Sequence, residues 1–362
     1  MNPAAPQKFD LIQCGRAVAA LMVVVYHASR IVALPRFYGD DRFAIMLQNL
    51  NAGVDFFFVL SGFIITWVHW GDIGCKDRMA SYVRKRFLRI YPTYWGVLLP
   101  LTLLYFLAPS AGVASQRDPL NVMLSVFLLP NPQQPVLGVA WTLTYEVFFY
   151  ALFLLVIRYG RALLWLTPVW AIGIIVFQGD GHPFWMRFLF NAFNINFIFG
   201  IWAGIALRRV GGIPGSRWLL GFGLSAFVAG LFFIPDVQHV PLVARLIFGL
   251  AAMLIVLGSV DLERRRRFAV PDAVMLAGSA SYAIYLTHPV ILSIAMTVLT
   301  RVAGRDVPIL LTLGSLLIIC TVFGILYHLL LEGRLIAGMK HLIDGRSRRG
   351  RTMPDGEAKN AA

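Results

Sequence analysis

The sequence predicts an all-α integral membrane protein, a polytopic bundle of about ten transmembrane helices with both termini in the cytoplasm. Its 362 residues are 58% hydrophobic and only 14% charged, whereas soluble domains are about 45 to 50% apolar and about 25% charged. The 3 cysteines form no C-x-x-C pair, so neither a disulfide framework nor a metal site is predicted. The composition therefore excludes a soluble, disordered or disulfide-rich protein.

Ten apolar segments are long enough to cross a hydrocarbon core of about 30 Å. They are predicted at 11–33, 52–70, 90–108, 141–157, 162–178, 188–207, 218–234, 242–260, 276–299 and 308–331. The apolar run 119–130 lies between two prolines and is too short to cross, so we predict an interfacial or re-entrant segment there. The first segment lacks a clear cleavage site, which favours a retained helix over a signal peptide.

The basic residues give a net charge of +14, which on its own would suggest nucleic-acid binding. With ten spans, however, 23 Lys and Arg fall on the side of the termini and 6 on the other side. This asymmetry follows the positive-inside rule and predicts cytoplasmic termini in an inner or plasma membrane. The basic residues are therefore expected to contact the lipid bilayer and not a nucleic acid. We predict a membrane domain over 1–345 and a disordered basic cytoplasmic tail over 346–362.

Ionisable side chains inside membrane spans are costly, so each one marks a candidate site. Arg16 and His27 in the first span are eleven residues apart, which puts them on one helix face about 16 Å apart along the axis. Arg30 follows one turn further out. The alternative is that Arg16 reaches the headgroups and His27 is a hydrogen-bonded core histidine.

The second span carries Asp55 near its outer end and the small pair Ser61 and Gly62 near its middle. Asp55 is predicted to cap the helix or to hold an arginine or His27 in place. The small pair permits close approach of another helix.

A basic cluster opens the third span, where Arg86 and Arg89 lie three residues apart on one face. Two guanidinium groups in this register can fork toward one polyphosphate. Anchoring to lipid headgroups explains the cluster as a whole but not this pairing.

Further polar and aromatic side chains lie in or near the spans. Glu146 sits about a turn and a half inside the fourth span and should face a wet cavity. Pro289 follows a histidine in the ninth span and frees a backbone carbonyl there. Asn191, Asn194 and Asn196 enter the sixth span from its outer side and are either hydroxyl-binding groups or links between helices. The set predicted to bind an acceptor is Arg30, Trp141, Tyr150, Asn191, Asn194, Tyr285 and His288.

Five sequence blocks occur in order along the chain. They are Gly15 to Leu21 with Tyr26-His27, then Gly53 to Phe63, then Arg86-x-x-Arg89-Ile90-Tyr91-Pro92, then Trp141-Thr142-Leu143-x-x-Glu146, then Ser281-Tyr282-x-x-Tyr285-Leu286-x-His288. Together they resemble the membrane-bound acyltransferase 3 family, in particular its exopolysaccharide O-acetyltransferases, over about residues 9 to 333. The sequence departs from the family at Gly15, where Leu is common, and at Glu332, which lacks a following proline and is given no role.

The resemblance implies transfer of an acyl group, usually acetyl, from a cytoplasmic acyl-CoA to a hydroxyl of an exported or cell-surface polysaccharide, glycolipid or lipid-linked oligosaccharide. His27 matches the family's critical histidine and Arg16 its partner. Arg86 and Arg89 match the arginines linked to the coenzyme, and we place Ser61 and Gly62 beside them as acetyl-CoA candidates. No metal is expected.

The chemistry needs a base for the sugar hydroxyl, and we assign that role to His27. Asp55 or Glu146 is expected to orient it, and a cation such as Arg30 to stabilise the oxyanion. Two alternatives stay open: a transporter or flippase of glycolipid intermediates, and another membrane acyltransferase fold that acylates a protein or lipid. Transfer of label from acetyl-CoA to a glycan separates them.

Overall fold

A computed structural model describes residues 9–235, 241–266 and 268–349, with side chains described through Asp344. These residues form α-helices and short helical turns, with no strand among them. The helices are α1 Asp10–Val32, α2 Arg42–Met46, α3 Gly53–Val68, α4 Met79–Leu107, α5 Pro119–Phe127, α6 Trp141–Tyr159, α7 Thr167–Val176, α8 Phe184–Leu189, α9 Asn194–Arg209, α10 Ser216–Phe233, α11 Pro241–Arg265, α12 Asp272–Ser279, α13 Ser281–Ala303, α14 Ile309–Tyr327 and α15 Gly333–Arg349.

The predicted all-α membrane bundle is confirmed. Within the described ranges, nine helical segments are long and apolar enough to cross a bilayer. The fifth predicted span corresponds to a shorter apolar helical segment, Arg161–Val176. The run 119–130 forms the nine-residue helix α5. The cytoplasmic placement of the termini stays a prediction of the charge pattern.

Two predicted spans each consist of two helices. These interruptions were not predicted from the sequence, because average hydropathy does not register a short break in a long segment. The sixth consists of α8 and α9, and the Asn194 amide donates to the carbonyls of Phe188 (3.0 Å) and Leu189 (3.1 Å) at the end of α8. The ninth consists of α12 and α13, which meet at Ala280. The membrane-crossing helix therefore begins at Ser281, five residues later than predicted.

The last span continues beyond its predicted end. A π-helical turn, His328–Glu332, joins α14 to α15, which runs to Arg349. The predicted domain boundary at residue 345 thus falls inside a helix. The rest of the predicted tail, 350–362, lies outside the described residues.

Helix α3 is the central element and packs closely against α9. A Cβ at Gly200 would meet the α3 backbone at Val59 and Phe63, and a Cβ at Gly62 would meet the carbonyl of Phe197. The two glycines therefore bring the helix backbones into contact, as small residues do in membranes. This packing accounts for Gly62, and other parts of α3 contact α1, α6 and α11.

Candidate active site

A small cavity of about 120 Å³, lined by both charged and apolar side chains, lies among α1, α3, α4, α6 and α13. Its charged lining consists of Arg16, Arg86, Arg89 and Glu146, and its hydroxyl groups belong to Ser61, Thr142, Tyr150, Ser281, Tyr282 and Tyr285. We call it the basic cavity. Three guanidinium groups face one carboxylate, which suits a phosphate-bearing ligand.

Arg86 is held by hydrogen bonds at the end of α3. Asp72 Oδ2 lies 2.8 Å from His69 Nδ1, and His69 Nε2 lies 2.8 Å from an amino nitrogen of Arg86. The Nδ1–H group of His69 therefore donates to Asp72, and the unprotonated Nε2 accepts from Arg86. Burial lowers the pKa of His69 below its usual value, although the hydrogen bond to Asp72 acts in the opposite direction. A neutral His69 thus orients Arg86 along the cavity wall.

Glu146 is fixed in the same cavity by two hydroxyl groups. It accepts hydrogen bonds from the hydroxyl groups of Ser61 (3.1 Å) and Tyr150. The Tyr150 ring centre lies 5.6 Å from the guanidinium carbon of Arg86, and that of Tyr282 lies 5.7 Å from Arg89. These contacts give the two arginines a defined place beside the carboxylate.

A larger cavity of about 630 Å³ lies on the other side of Tyr285 and Val54. We call it the amide cavity, after the carboxamides of Asn51, Gln134, Gln178 and Asn191 that line it together with His27, Trp141, Asp180, Arg187, Phe193 and Arg245. Carboxamides both donate and accept hydrogen bonds, and aromatic rings offer flat faces. This combination suits a ligand rich in hydroxyl groups.

Two side chains, Val54 and Tyr285, line both cavities and form the partition between them. The Tyr285 hydroxyl lies 2.8 Å from Thr142 Oγ1 and 3.1 Å from the Val139 carbonyl oxygen. These contacts tie the partition to the start of α6. Helix α1 runs past it, with Arg16 in the basic cavity and His27 in the amide cavity.

His27 is oriented by uncharged partners. Its Nδ1 atom lies 2.9 Å from the Val23 carbonyl oxygen and 3.3 Å from Nε2 of His288. Neither Asp55 nor Glu146 is bonded to it among the described hydrogen bonds. The expectation that one of these carboxylates orients His27 is therefore wrong for this geometry.

Asp55 belongs to a separate buried cluster. Its two carboxylate oxygens accept hydrogen bonds from the Asn196 amide (2.6 Å) and from Arg245, with which it forms an ion pair. Arg245 also stands 4.3 Å above the Phe193 ring. The alternative prediction for Asp55, that it holds an arginine, is confirmed.

Three further predicted site residues lie elsewhere. His288 is fully buried behind His27 and lines neither cavity. The Asn194 amide donates hydrogen bonds to carbonyls at the end of α8, so Asn194 links α8 to α9. Arg30 is exposed at the end of α1 and also lines neither cavity. Trp141 and Asn191 do line the amide cavity, and Tyr150 lines the basic one.

Sequence reasoning missed several polar groups near the site. His69 was not singled out and Arg245 was given no role, although a histidine at a span end and an arginine inside a span are visible signals. Asn196 was considered only as one of the asparagines of the sixth span. Glu332, which was given no role, is buried and lies 2.6 Å from His328 Nδ1 within the π-helical turn. Such turns occur often at functional sites.

Comparisons with known proteins identify the family of this chain. A profile of the acyltransferase domain family, Acyl_transf_3, matches residues 10–328. The exopolysaccharide production protein ExoZ of Rhizobium meliloti (strain 1021) is 30% identical over 79% of this chain and 89% of that protein. The acyltransferase MdmB of Streptomyces mycarofaciens is 27% identical over 75% of this chain and 76% of its own length. No solved structure matches significantly. The chain therefore belongs to the acyltransferase 3 family and is a multi-pass membrane acyltransferase.

Proposed function

We propose that this acyltransferase moves an acyl group, expected to be acetyl, from acyl-CoA to a hydroxyl of an exported or cell-surface polysaccharide or lipid-linked oligosaccharide. One observation carries the proposal: the basic cavity and the amide cavity meet at Val54 and Tyr285, and His27 lines the second of them. The similarity to a protein of exopolysaccharide production supports a glycan acceptor.

The donor is expected in the basic cavity. Arg86 and Arg89 offer paired guanidinium groups to the coenzyme's phosphates, and Arg16 lines the same cavity deeper in the bundle. A pantetheine arm extended from there toward Tyr285 brings the thioester to the partition. Movement of the Tyr285 side chain then lets the acyl carbonyl reach His27.

The acceptor is expected in the amide cavity. Both arginines that line it are paired, Arg187 with Asp180 at 3.2 Å and Arg245 with Asp55. Because their charge is already neutralised, the lining favours an uncharged, hydroxyl-rich ligand. A pyranose stacked on an aromatic ring such as Trp141 fits this chemistry.

The reaction is a single displacement at the thioester carbonyl. The sugar oxygen bonds to the carbonyl carbon as its proton passes to His27 Nε2, and the carbon–sulfur bond then breaks. The departing thiolate takes the proton back from His27. The products are an O-acyl sugar and free coenzyme A.

The proposed direction requires a cytoplasmic donor and an acceptor on the outer side of the cell membrane. Reporter fusions after Asp77, Arg209 and Arg266 should report the cytoplasm, and those after Asp41, Asp180 and Arg305 the other side. Two or more reversed reporters would contradict this topology.

The decisive experiment measures transfer of radiolabel from acetyl-CoA to lipid-linked oligosaccharide by the purified protein in nanodiscs. His27→Gln should lower turnover by about 10²- to 10⁴-fold, the usual contribution of a general base, while acetyl-CoA still binds. His341→Gln, at an exposed position on α15, is the matched control. Near-normal turnover in folded His27→Gln protein would remove the assigned base.

The transporter alternative gives a different result when the same protein is reconstituted in sealed vesicles. A flippase would move the lipid-linked glycan across the bilayer without transferring label. Comparison of the surface glycans of a deletion strain with those of the parent identifies the acylated sugar.

A further inference from the structure

We propose that His288 is the positioning residue for His27: it fixes the tautomer of the base and accepts a hydrogen bond from its imidazolium form. The chemical part of this inference rests on the proposed function, but the tautomers themselves do not. The observation behind it is the pair of imidazole rings, which lie 4.9 Å apart between centres, with His288 Nε2 3.3 Å from His27 Nδ1.

Pro289 sets the tautomer of His288. In a regular helix the N–H of residue 289 would donate to the carbonyl of residue 285, but proline has no N–H. His288 Nδ1 instead lies 2.6 Å from the Tyr285 carbonyl oxygen. A carbonyl at this distance accepts a hydrogen bond, so Nδ1 carries the proton, and in the neutral ring Nε2 has a free lone pair.

A second carbonyl supports the same tautomer of His27 that His288 favours. The Val23 carbonyl oxygen lies 2.9 Å from His27 Nδ1, so this nitrogen also carries a proton. The same N–H points toward the lone pair of His288 Nε2. In neutral His27 the unprotonated nitrogen is therefore Nε2, the atom available to a hydroxyl in the amide cavity.

The arrangement assigns different tasks to the two histidines. His288 is fully buried and its Nε2 faces His27, so it cannot take a proton from a substrate. Protonation of His288 at Nε2 would place its N–H against the Nδ1–H of His27. This repulsion disfavours protonation, so His288 Nε2 stays a hydrogen-bond acceptor. When His27 Nε2 takes the sugar proton, the positive ring retains two acceptors at Nδ1, the Val23 carbonyl and His288.

Three substitutions separate this role from simple packing. His288→Phe removes the acceptor, and His288→Gln keeps one donor and one acceptor in a similar space. Pro289→Ala leaves both histidines intact but restores the helical N–H donor to the Tyr285 carbonyl, where it competes with His288 Nδ1. Thr287→Val is the matched control, because the buried Thr287 hydroxyl donates only to Ala283 among the described residues.

The experiment records ¹⁵N spectra of histidine-labelled protein in nanodiscs, with the His27 signals assigned by their loss in His27→Gln. We expect Nδ1-protonated His27 in the wild type and in Thr287→Val, and a mixture of tautomers in His288→Phe and Pro289→Ala. Turnover should fall about 10- to 100-fold in His288→Phe, as for partners that orient metal-bound histidines, with unchanged KM for acetyl-CoA. His288→Gln should recover part of it.

Two results would overturn the inference: Nε2-protonated His27 in the wild type, or an unchanged His27 tautomer in both Pro289→Ala and His288→Phe. The His27 tautomer is measured without substrate, so this measurement does not depend on the proposed function. A tautomer shift in a protein that transfers no acyl group would refute the proposed function alone. Transfer that depends on His27 without any tautomer shift would refute this inference alone.

Discussion

The buried pair of Asp55 and Arg245 gives a direct test of whether Asp55 serves structure or chemistry. Asp55 is 0% exposed and Arg245 3% exposed, and the two side chains form an ion pair. We consider Asp55→Ala, Arg245→Ala and the double substitution Asp55→Leu with Arg245→Met.

The structure sets the expected free energies of unfolding. Either single substitution leaves one buried charge without its partner, which costs about 3 to 5 kcal/mol. The double substitution removes both charges, and replacing such a pair by apolar residues is often neutral. The Asn196 amide then loses its acceptor on Asp55, which costs about 1 to 3 kcal/mol. The double variant should therefore be more stable than either single one.

The assay combines equilibrium unfolding in mixed micelles with label transfer from acetyl-CoA. Because Asp55 does not contact His27, the folded double variant should keep its kcat within a factor of about three. Its KM for the acceptor is free to change, since Arg245 lines the amide cavity. Arg187→Met, which removes the other arginine of that cavity, is the control for the acceptor effect.

Two outcomes would refute this reasoning. A double variant as unstable as the sum of the single ones would show that the two charges are not coupled. A folded, stable double variant with turnover as low as that of His27→Gln would show that Asp55 takes part in the chemistry, as the sequence suggested.

Three further predictions concern the basic cavity and the partition. Arg86→Ala or Arg89→Ala should weaken acetyl-CoA binding by about 1.5 to 3 kcal/mol, or roughly ten- to hundred-fold by calorimetry, with partial rescue by Lys; unchanged affinity in both would reduce the pair to membrane anchors. Tyr285→Ala should open the partition, so that acetyl-CoA hydrolysis without acceptor rises while transfer falls, whereas Tyr285→Phe keeps the barrier; equal hydrolysis in both variants would contradict the partition. His69 has a lowered pKa, so its contribution to stability is complete above about pH 6.5 and is lost as the pH falls. Thermal unfolding should therefore show a larger loss between about pH 7.5 and pH 5.5 in the wild type than in His69→Gln, with Asp72, Lys85 and Arg86 left in place, and an equal loss would contradict this assignment.

The sequence was sufficient for features that depend on neighbouring residues. Hydropathy locates the spans, because each helix satisfies its own backbone in the membrane. The spacing of Arg86 and Arg89 places both on one helix face, and both line the basic cavity. The proline after His288 correctly indicated a freed carbonyl, which the structure identifies as that of Tyr285.

Features that depend on packing could not be predicted. Asp55 and Arg245 are 190 residues apart, and nothing in the sequence of either span indicates that these two residues form a pair. The interruption at Ala280 was hidden because the small residues around it, Gly278, Ser279 and Ser281, lower the hydropathy of the long segment only a little. Gly62 was predicted to allow close approach of another helix and was also placed among the acetyl-CoA candidates, and the closeness of Gly200 supports the helix contact.

The placement of the charged groups explains why neutral partners orient His27. Glu146 is occupied by Ser61 and Tyr150 beside the arginines of the basic cavity, and Asp55 is occupied by Arg245. A carboxylate at His27 would favour the imidazolium in the membrane interior before any substrate arrives, because an ion pair is strong where the dielectric is low. Carbonyl oxygens and a neutral histidine instead fix the ring while leaving it uncharged. The base is therefore ready to accept a proton, and the charge that then appears on it is met by hydrogen-bond acceptors already in position.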